Sequence, residues 1–379
     1  MHICFLCNEY PPGKHGGVGS FTQTLARALV ERGHKATVVG IYSPERQGIE
    51  DDEGVQIVRL PHARLRGTGF VVHLRRLRQA LTGIHKQSSI DVLEGPESSL
   101  AMVPRSFPAA KIIRMHGGHH FFFVTLGQKP RPGRSWLETR SFERADRLCA
   151  VSHFVEETTR ELLRLNGRPV EILPNPVDTR LFSPQPEVEE QKALILFVGT
   201  VCEKKGVRQL IQAMPQILKQ VPQAKLQIVG PDRIDPQTGD SFTNHIRSCI
   251  SPDLEEHIIF KGPVEHSQLP AVIASSTVCV YPSHMEALPV AWLEGMAMGK
   301  AVVASNTGPG PEVIEDGVSG LLCDPHDPAS IAEKIINLLK DAALRRRLGD
   351  QARRRVTDFF SMDALIERNE NFYRRCIQQ

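Results

Sequence analysis

Short runs of apolar and β-branched residues recur along the whole chain, separated by stretches with the spacing of amphipathic helices. In the first half these runs are HICFLC, KATVVGIY, VQIVRL, IDVLEG, KIIRMHG, RLCAVS and VEILPN. In the second half the same pattern continues with ALILFVGT, KLQIVGP, HIIFKG, TVCVY, AVVASN and GLLCDP. Strands that alternate with helices are typical of a parallel, doubly wound sheet. The chain is therefore predicted to be α/β, with one such sheet in each half.

A proline-rich segment divides the two series of strands. Residues 174–192 read PNPVDTRLFSPQPEVEEQK, and this composition is typical of an interdomain linker. A chain of 379 residues also exceeds the usual size of a single hydrophobic core. We therefore predict an N-terminal domain over residues 1–178 and a C-terminal domain over residues 190–358.

Two acidic residues stand eight positions apart after the fourth strand of the second series. Glu286 falls in the loop that follows TVCVY, and Glu294 falls inside the next helix, whose first turn suits Pro289. The backbone N–H groups near this helix N-terminus are those of Ala287, Leu288 and Val290. A helix N-terminus favours a phosphate, and a carboxylate on each side of it suits a ligand with a sugar at one end and a ribose at the other. The spacing fits a nucleotide sugar, and by itself it also fits a buried acid paired with a base plus a surface acid.

A glycine- and proline-rich turn, TGPGPE, follows the next strand. Gly308 and Gly310 allow the backbone to approach a ligand closely, while Pro309 and Pro311 stiffen the turn. Two acids spaced E-x7-E, then a helix, a strand and a turn that ends in Glu312, resemble the donor-binding signature of GT-B glycosyltransferases of the large family-4 type. The segment N-x-V-D-x-x-x-F-x-P within the proposed linker is similar to the hinge of that family.

The resemblance implies a GT-B fold, with two facing Rossmann-like domains and the active site in the interdomain cleft. It also implies that the last helix, about residues 360–379, crosses back onto the N-terminal domain. In the family the first acid, here Glu286, holds the donor sugar, the second, Glu294, holds the ribose, and a Lys-Gly pair contacts the donor diphosphate. That lysine is Lys205 in GTVCEKKG, which without the resemblance fits a surface lysine. Val264, after HIIFKG, is assigned to the same donor pocket.

One position departs from the family pattern. The relatives usually carry Arg directly after the Gly that ends the first strand of the donor domain, whereas this chain has Thr200. A bidentate arginine bond to a charged group contributes on the order of 1.5–3 kcal/mol. That contribution is absent or supplied elsewhere, and Arg233 in IVGPDR is a candidate substitute that fits the nucleobase pocket as well. The departure leaves both donor choice and activity open.

A glycine loop and one histidine stand out in the first half. The loop NEYPPGKHGGVG leads into a helix that we expect Ser20 to cap and Gly33 to close. Gly16 and Gly17 fit a structural turn, and they also match the family's glycine loop, which faces the donor diphosphate and the acceptor. His116 follows the strand KIIRM, at the strand end where substrates meet such sheets. A lone histidine is usually structural, but the resemblance places this one close to the transferred sugar.

The segment from Gly69 to Lys86 is predicted to be an amphipathic helix with a basic side. Its apolar face carries Leu74, Leu77, Leu81 and Ile84. Its basic patch comprises Arg75, Arg76, Arg78 and Lys86, with Arg64 and Arg66 just before the helix. The patch fits a solvated helix face, and it also fits contact with an anionic membrane that bears a lipid-linked acceptor. In the tail, which is predicted to form three helices, the arginine runs 345–347 and 353–355 are interpreted as solvated faces, with contact to a membrane or a partner as the alternative.

Charge and cysteine content bound the partners and the compartment. A net charge of +3, from 46 basic and 43 acidic residues, gives no case for nucleic-acid binding. Eight scattered cysteines, mostly inside apolar runs, are typical of free thiols in a reducing compartment. No signal peptide or membrane-spanning run is recognised, so we expect a cytoplasmic protein with possible peripheral membrane contact.

The resemblance leads to a definite functional hypothesis. We expect a retaining, metal-independent glycosyltransferase that uses a UDP- or GDP-sugar as co-substrate and needs no cofactor. Its acceptor is expected to be a saccharide, a lipid-linked molecule or a small molecule, in polysaccharide or glycoconjugate synthesis. The catalytic candidates are His116, Lys205 and Glu286. The alternatives are a sugar-nucleotide epimerase of the same fold, a dehydrogenase, for which the G-x-G-x-x-G fingerprint is missing, and a non-catalytic nucleotide-sugar-binding protein, which Thr200 favours.

Overall fold

The computed structural model describes residues 1–13, 16–63, 69–235 and 239–378. The chain separates into two compact units. The N-terminal unit comprises Met1–Pro176 together with Met362–Gln379, and the C-terminal unit comprises Val177–Ser361. Most of the segment interpreted as a linker belongs to the C-terminal unit, where the backbone N–H of Val177 donates to the carbonyl of Phe360 at 2.8 Å.

The sheet of the N-terminal unit has eight strands. They are β1 (His2–Leu6), β2 (Lys35–Tyr42), β3 (Gly48–Asp52), β4 (Val55–Pro61), β5 (Val92–Gly95), β6 (Ala110–Met115), β7 (Arg147–Ala150) and β8 (Val170–Ile172). The spatial order is β3-β4-β2-β1-β5-β6-β7-β8, and all neighbours are parallel except β3 and β4. The sequence pattern predicted seven of these strands and missed β3, because GIEDD is largely polar and exposed at the sheet edge.

The helices of the N-terminal unit are α1 (Gly17–Glu31), α2 (Gly69–Gln87), α3 (His119–Thr125), α4 (Pro132–Phe142), α5 (His153–Leu163) and α14 (Met362–Ile377). Helix α1 begins at Gly17 with Gly16 as its N-cap, so the expectation that Ser20 caps the helix is wrong. Gly33 follows the helix with φ +81°, a left-handed conformation that glycine adopts without strain, as predicted for its C-terminal end.

Helix α14 is bound to the N-terminal sheet by a buried polar network. The guanidinium of Arg114 on β6 pairs with Glu94 on β5 at 2.8 Å and donates to Asn369 of α14 at 2.7 Å. The Tyr373 hydroxyl donates to the same Glu94 carboxylate at 2.9 Å. A buried charge pair requires several satisfied hydrogen bonds to be tolerated, and here the terminal helix supplies them.

The C-terminal unit carries a fully parallel six-stranded sheet. Its strands are β9 (Leu194–Val198), β10 (Lys225–Val229), β11 (Ile258–Gly262), β12 (Val278–Tyr281), β13 (Val302–Ser305) and β14 (Leu321–Cys323), in the order β11-β10-β9-β12-β13-β14. All six were predicted from the sequence. β9 is buried along its whole length, as expected for a strand covered on both faces by helices.

The helices of the C-terminal unit are α6 (Val207–Gln220), α7 (Phe242–Arg247), α8 (Pro252–Glu255), α9 (Leu269–Ala274), α10 (Val290–Ala297), α11 (Gly310–Val313), α12 (Pro328–Lys340) and α13 (Ala342–Phe359). With α14, the last two confirm the three helices predicted for the tail. Within the described ranges, no helix combines the length and the hydrophobicity that crossing a bilayer requires.

Several tail arginines have structural partners. Arg345 donates to the carbonyl of Leu338 at 2.6 Å, at the end of α12. Arg355 donates to the carbonyl of Val313 at 2.7 Å, and Arg353 donates to the carbonyl of Ala297. The interpretation of the arginine runs as solvated faces is therefore wrong for these three side chains, which close the C-terminal ends of α12, α11 and α10.

Candidate functional site

The strand order of the C-terminal sheet reverses between β9 and β12. β9 continues through α6 to β10 on one side, whereas β12 continues to β13 on the other. Loops that leave the carboxyl ends of such a central pair diverge, and the crevice between them is the usual ligand site of an open parallel sheet. Thr200 and Lys205 follow β9, and Glu286 follows β12. These three predicted site residues therefore lie at this reversal.

The loop after β9 and the loop after β12 approach each other closely at Gly206. Gly206 has φ +70° and separates the short turn Glu203–Lys205 from α6. A Cβ at Gly206 would lie 1.8 Å from the carbonyl oxygen of Pro282, so no other residue can occupy this position without moving the loop after β12. This close approach places Lys205 directly beside the loop that carries Glu286.

Lys205 and Glu286 form an ion pair, with the ammonium Nζ bonded to the carboxylate Oε1. Both side chains are largely buried. Burial by itself raises the pKa of the Glu286 carboxyl, but the positive charges of Lys205 and Lys204 and a hydrogen bond from Ser283 outweigh it and hold that pKa below the usual value. Glu286 is therefore ionised at neutral pH and accepts hydrogen bonds.

Lys204 was not singled out in the sequence. Burial lowers the pKa of its ammonium group, with the charge of Glu286 acting in the opposite direction. Its carbonyl accepts a hydrogen bond from the backbone N–H of His284 at 2.8 Å, which ties the loop after β9 to the loop after β12 a second time. The signal that could have revealed it is the doublet KK before the glycine.

Thr200 and Arg233 lie at the carboxyl ends of adjacent strands, β9 and β10. Thr200 is half-buried, and the next residue, Val201, forms an isolated bridge with Asp232. Arg233 is exposed, and its charge contributes to lowering the pKa of Lys204. The cation predicted as a substitute for the missing arginine is therefore close enough to interact electrostatically with the lysines.

Glu294 lies within α10, as predicted, and is 5% exposed. Its Oε1 pairs with Nε2 of His266 at 2.9 Å, and this hydrogen bond raises the pKa of the His266 imidazole. His266 belongs to the loop after β11, two residues beyond the half-buried Val264. His266 was not predicted, because it precedes Glu294 by 28 positions in the sequence.

Helix α10 begins at Val290, with Pro289 as its N-cap. Of the three backbone amides predicted at the helix N-terminus, that of Val290 belongs to the first turn, whereas Ala287 and Leu288 precede the helix in a buried part of the loop. The predicted anion site is therefore formed by a loop and a helix start rather than by one helical turn.

The turn TGPGPE follows β13 and contacts the loop after β12. The Thr307 hydroxyl donates to the carbonyl of His284 at 3.1 Å, and a Cβ at Gly310 would lie 2.0 Å from the carbonyl of Ser305. The imidazole of His284 packs 4.3 Å from that of His326, and its buried Nε2 has no hydrogen-bond partner among the described residues. With Lys204 and His266, His284 is the third residue near these loops that the sequence analysis did not identify.

His116, Gly16 and Gly17 belong to the N-terminal unit. His116 directly follows β6, and its ring lies 4.8 Å from that of Phe21 on α1. Burial, together with the charge of Arg114, lowers the His116 pKa to about 3, so the imidazole is neutral at physiological pH. It can donate or accept one hydrogen bond but cannot supply a positive charge to a diphosphate.

The start of α1 already has an anionic partner. The backbone N–H of Gly19 donates to the carboxylate of Glu9 at 3.0 Å, and a Cβ at Gly16 would lie 3.3 Å from the same carboxylate. The glycines thus let an acidic side chain reach the N-terminus of the helix. Their assignment to donor binding remains a prediction.

Among the described residues, no group of three or more His, Cys, Asp or Glu side chains is arranged so that it could hold a metal ion. Glu286 and Glu294 are instead paired with Lys205 and His266. These pairs leave carboxylate oxygens suited to sugar hydroxyls and lysines suited to phosphate.

Comparison with known proteins adds two family matches. Residues 178–355 match the model of the glycosyl transferases group 1, and residues 15–181 match that of glycosyltransferase family 4. N-acetyl-alpha-D-glucosaminyl L-malate synthase from Bacillus anthracis is 23% identical to this chain, over 94% of this chain and 93% of that protein.

Solved structures match the full chain as well. Sucrose-phosphate synthase from Thermosynechococcus elongatus superimposes with a TM-score of 0.84 at 22% identity, covering 99% of this chain and 98% of that one. HepE from Anabaena, in complex with UDP, gives a TM-score of 0.75 at 16% identity and covers 98% and 99% of the two chains. These similarities confirm the GT-B fold.

Proposed function

We propose that this chain, which belongs to the group 1 and family 4 glycosyltransferases, transfers one sugar from a nucleotide sugar to a hydroxyl of a saccharide, lipid-linked or small-molecule acceptor. The chain is thus a glycosyltransferase, and the proposal concerns its substrates and its residues. The observation that carries it is the Lys205–Glu286 ion pair at the strand-order reversal of the C-terminal sheet.

In the proposed reaction, the bond between the anomeric carbon of the sugar and the oxygen of the nucleoside diphosphate breaks. The acceptor oxygen forms the new bond to that carbon, and the acceptor proton passes to the departing diphosphate. The reaction retains the anomeric configuration and requires no enzymic nucleophile and no bound metal. Side chains must therefore balance the negative charge that grows on the diphosphate oxygen as the bond breaks.

Lys205 and Lys204 are suited to that task. Lys205 is fixed by its bond to Glu286, so little reorganisation is needed when charge develops on the diphosphate. Lys204 is partly desolvated, which strengthens its interaction with an anion. Arg233 adds a third positive charge at the end of the adjacent strand and takes the role of the missing arginine.

The two acids are proposed to hold the ends of the donor. The ionised Glu286 accepts hydrogen bonds from hydroxyls of the transferred sugar, and Glu294 accepts the ribose hydroxyls with the carboxylate oxygen that His266 leaves available. Val264 lies in the loop next to His266 and would contact the nucleoside. A UDP- or GDP-sugar is the proposed donor, and the complex of the related HepE with UDP supports the first of these.

Nucleotide-sugar binding and turnover test the proposal in two steps. A ligand at 100 times its Kd stabilises a protein by about 2.7 kcal/mol, so a thermal-shift screen of UDP-, GDP- and ADP-sugars should identify the donor. Release of nucleoside diphosphate in the presence of acceptors then measures transfer, and NMR of the product reports the anomeric configuration. Tight donor binding with no transfer and no hydrolysis across a broad acceptor panel would support a non-catalytic protein, and conversion of the donor sugar itself would support an epimerase.

Peripheral membrane binding is a second proposal, and it rests on the surface around α2. The exposed rings of Phe70 on α2 and Trp136 on α4 lie 6.0 Å apart, and Arg75 and Arg78 are exposed on α2. Exposed aromatic residues beside basic residues favour the interface of an anionic bilayer. Arg76 is excluded from this surface because its guanidinium donates to backbone carbonyls, including that of His62 at 3.2 Å. Arg64 and Arg66 lie outside the described residues.

Liposome sedimentation tests the membrane proposal. The parent should sediment with anionic vesicles at low salt, and Trp136→Ala combined with Arg75→Glu and Arg78→Glu should remain in solution while still turning over a soluble acceptor. Equal sedimentation of the parent and the triple variant would reject the surface.

A further inference from the structure

Four residues that are distant in the sequence form a closed series of contacts around the carboxylate of Glu294. They are Phe182, His266, Glu294 and Arg353, and all four belong to the C-terminal unit. Phe182 lies in the segment that opens this unit, His266 in the loop after β11, Glu294 on α10 and Arg353 on α13. Of the four, only Glu294 was predicted from the sequence to bind the donor.

The first contact joins His266 to Glu294. Nε2 of His266 lies 2.9 Å from Oε1 of Glu294, whose side chain is buried, whereas that of His266 is partly exposed. The hydrogen bond raises the pKa of the His266 imidazole, burial opposes it, and the charge of Asp178 acts in the same direction as the bond. An imidazole N–H that donates to one carboxylate oxygen restricts the rotation of the carboxylate and leaves the second oxygen for another donor.

The second contact joins His266 to Phe182. The two rings meet edge to face, with their centroids 5.1 Å apart, and Phe182 is buried. The turn that carries Phe182 is fixed by Asp178. The carbonyl of Asp178 accepts the backbone N–H of Phe182 at 2.9 Å, and its carboxylate accepts the N–H groups of Arg180 and Leu181 at 2.9 and 3.0 Å. The phenyl ring is therefore a fixed surface against which the imidazole packs.

The third contact joins the segment of Phe182 to α10. Nη1 of Arg353 donates to the carbonyl of Phe182 at 3.2 Å and also to the carbonyl of Ala297, the last residue of α10. Glu294 lies within one turn of Ala297 on the same helix. One guanidinium thus connects the helix that carries the acid with the segment that supports the histidine, and the series of contacts is closed.

We propose that His266, supported by Phe182 and Arg353, is a positioning residue that holds the Glu294 carboxylate for the hydroxyls of a ribose. The inference rests on the proposed function and specifies its donor as a ribonucleoside diphosphate sugar rather than a deoxyribonucleoside diphosphate sugar. A deoxyribose offers one hydroxyl fewer, so the buried carboxylate would lose a hydrogen bond on binding it. A site built to bond a hydroxyl rejects the analogue that lacks it.

Restricting the carboxylate is what makes the missing hydroxyl costly. A carboxylate that rotates freely turns toward water or another donor when a ligand hydroxyl is absent, and the two ligands then bind nearly alike. The bond to His266 prevents this rotation, so discrimination depends on the three contacts. When the contacts are removed, affinity for the ribonucleotide should fall toward that for the deoxyribonucleotide, which itself should change little.

Calorimetry with nucleoside diphosphates and the full chain tests these contacts without requiring turnover. The probes are UDP, GDP and ADP with their 2′-deoxy and 3′-deoxy counterparts, and the measured quantity is the Kd of a deoxy probe divided by that of its ribonucleotide. For the parent this ratio should be at least about tenfold for one of the two hydroxyls. In His266→Ala, Phe182→Leu and Arg353→Leu it should fall to about threefold or less, through weaker binding of the ribonucleotide.

Two further variants separate positioning from folding. His266→Gln keeps a side-chain N–H donor for Glu294 and should retain a ratio close to that of the parent. His257→Ala is the matched control, because His257 precedes β11, lies 3.6 Å from the carboxylate of Glu256, and should not influence the ratio. A variant that has lost its fold binds all probes more weakly, whereas lost positioning weakens the ribonucleotide alone. Thermal melting of each variant identifies the first case.

An unchanged ratio in His266→Ala, or a parent ratio below about threefold, would overturn the positioning role while nucleotide binding, and with it the proposed function, remains. Absence of binding by all three nucleotides would overturn it as well. Failure of the proposed function has a different signature. Nucleotide-sugar turnover would then be absent across acceptors, while the ratio and its dependence on His266 would persist.

Discussion

The strand order reverses between β9 and β12 in the C-terminal unit and between β1 and β5 in the N-terminal unit, and the loops at these two points carry different charges. At the first point, Lys204 and Lys205 surround the carboxylate of Glu286. At the second point, Glu97 lies in a pocket without a basic residue among its described lining. The two units share one sheet architecture and differ in the side chains that their loops present, which is where function is determined.

The same residue type therefore has opposite protonation states in the two places. Burial raises the carboxyl pKa of both glutamates, but two ammonium groups reverse the shift for Glu286, while the charge of Glu138 reinforces it for Glu97. An ionised acid among cations suits a ligand with a charged diphosphate and a sugar. A neutral acid suits hydroxyls. This difference supports the proposal that the C-terminal unit binds the nucleotide-sugar donor.

Removing Lys205 should produce the largest effect, because it would reduce the difference in carboxyl pKa between Glu286 and Glu97. Lys205→Ala takes away a cation that acts on the growing charge of the diphosphate and also leaves Glu286 with a weaker partner set, so the Glu286 pKa should rise. We expect a loss of about 10²–10³ in kcat, which is typical for one preorganised donor to a developing oxyanion, and a smaller change in donor Kd.

The control is Lys192→Ala, which removes an exposed lysine of the same unit. A Lys205→Ala enzyme with parental kcat would show that the ion pair is structural. The double variant Lys205→Ala with Glu286→Gln should be less impaired in thermal stability than the single variant, because it does not leave an uncompensated buried acid.

Glu294→Gln should have the second-largest effect, and this effect should be confined to the nucleoside end of the donor. The carboxylate is proposed to accept ribose hydroxyls, and hydrogen bonds to a charged group contribute about 1.5–3 kcal/mol. Free nucleotide and nucleotide sugar should therefore both bind about 10- to 100-fold more weakly in calorimetry. Parental nucleotide affinity would remove Glu294 from the ribose site.

The third and smaller effect is a pH dependence of the thermal stability of the C-terminal unit. The hydrogen bond to Glu294 raises the His266 pKa above its usual value of 6.5, so the protonated imidazole is favoured in the folded state. Its contribution to stability is complete below the unfolded pKa and disappears as the pH rises through the folded pKa. Thermal melting between pH 5 and 9 should therefore show a decline in stability that His266→Gln lacks. Identical profiles for the two proteins would show that the pair contributes nothing.

The sequence predicted regular elements better than it predicted which side chains pair. The central strands are long apolar runs with one structural interpretation, whereas β3, a polar edge strand, gives no such signal. Glu286 could be identified from the E-x7-E spacing, and Lys205 could be identified because it precedes a glycine in a Lys-Gly pair that the family resemblance marks. His266 and Glu97 could not, since their importance depends on burial and on partners distant in the chain. A pKa shift depends on those surroundings, so the residue type alone did not reveal that Glu97 is neutral.

The last and smallest effect concerns the third cation, Arg233, and the position left by Thr200. Arg233 is exposed and influences Lys204 electrostatically, so Arg233→Ala should weaken donor binding only several-fold, and less at high salt because exposed charges are screened.

Thr200 is half-buried at the end of β9, next to the bridge between Val201 and Asp232 that links β9 to the segment carrying Arg233. The family usually carries an arginine at position 200, which contributes to diphosphate binding. If Arg233 supplies that contribution in this chain, Thr200→Arg should restore donor affinity in the Arg233→Ala background. In the parent the same substitution should give little gain or a loss, since two guanidinium groups would then compete for one diphosphate. This double-mutant cycle, read as donor Kd and kcat/KM, would show a large coupling between the positions. Additive effects would mean that Arg233 contacts another part of the donor and that Thr200 leaves the diphosphate with two lysines as its cations.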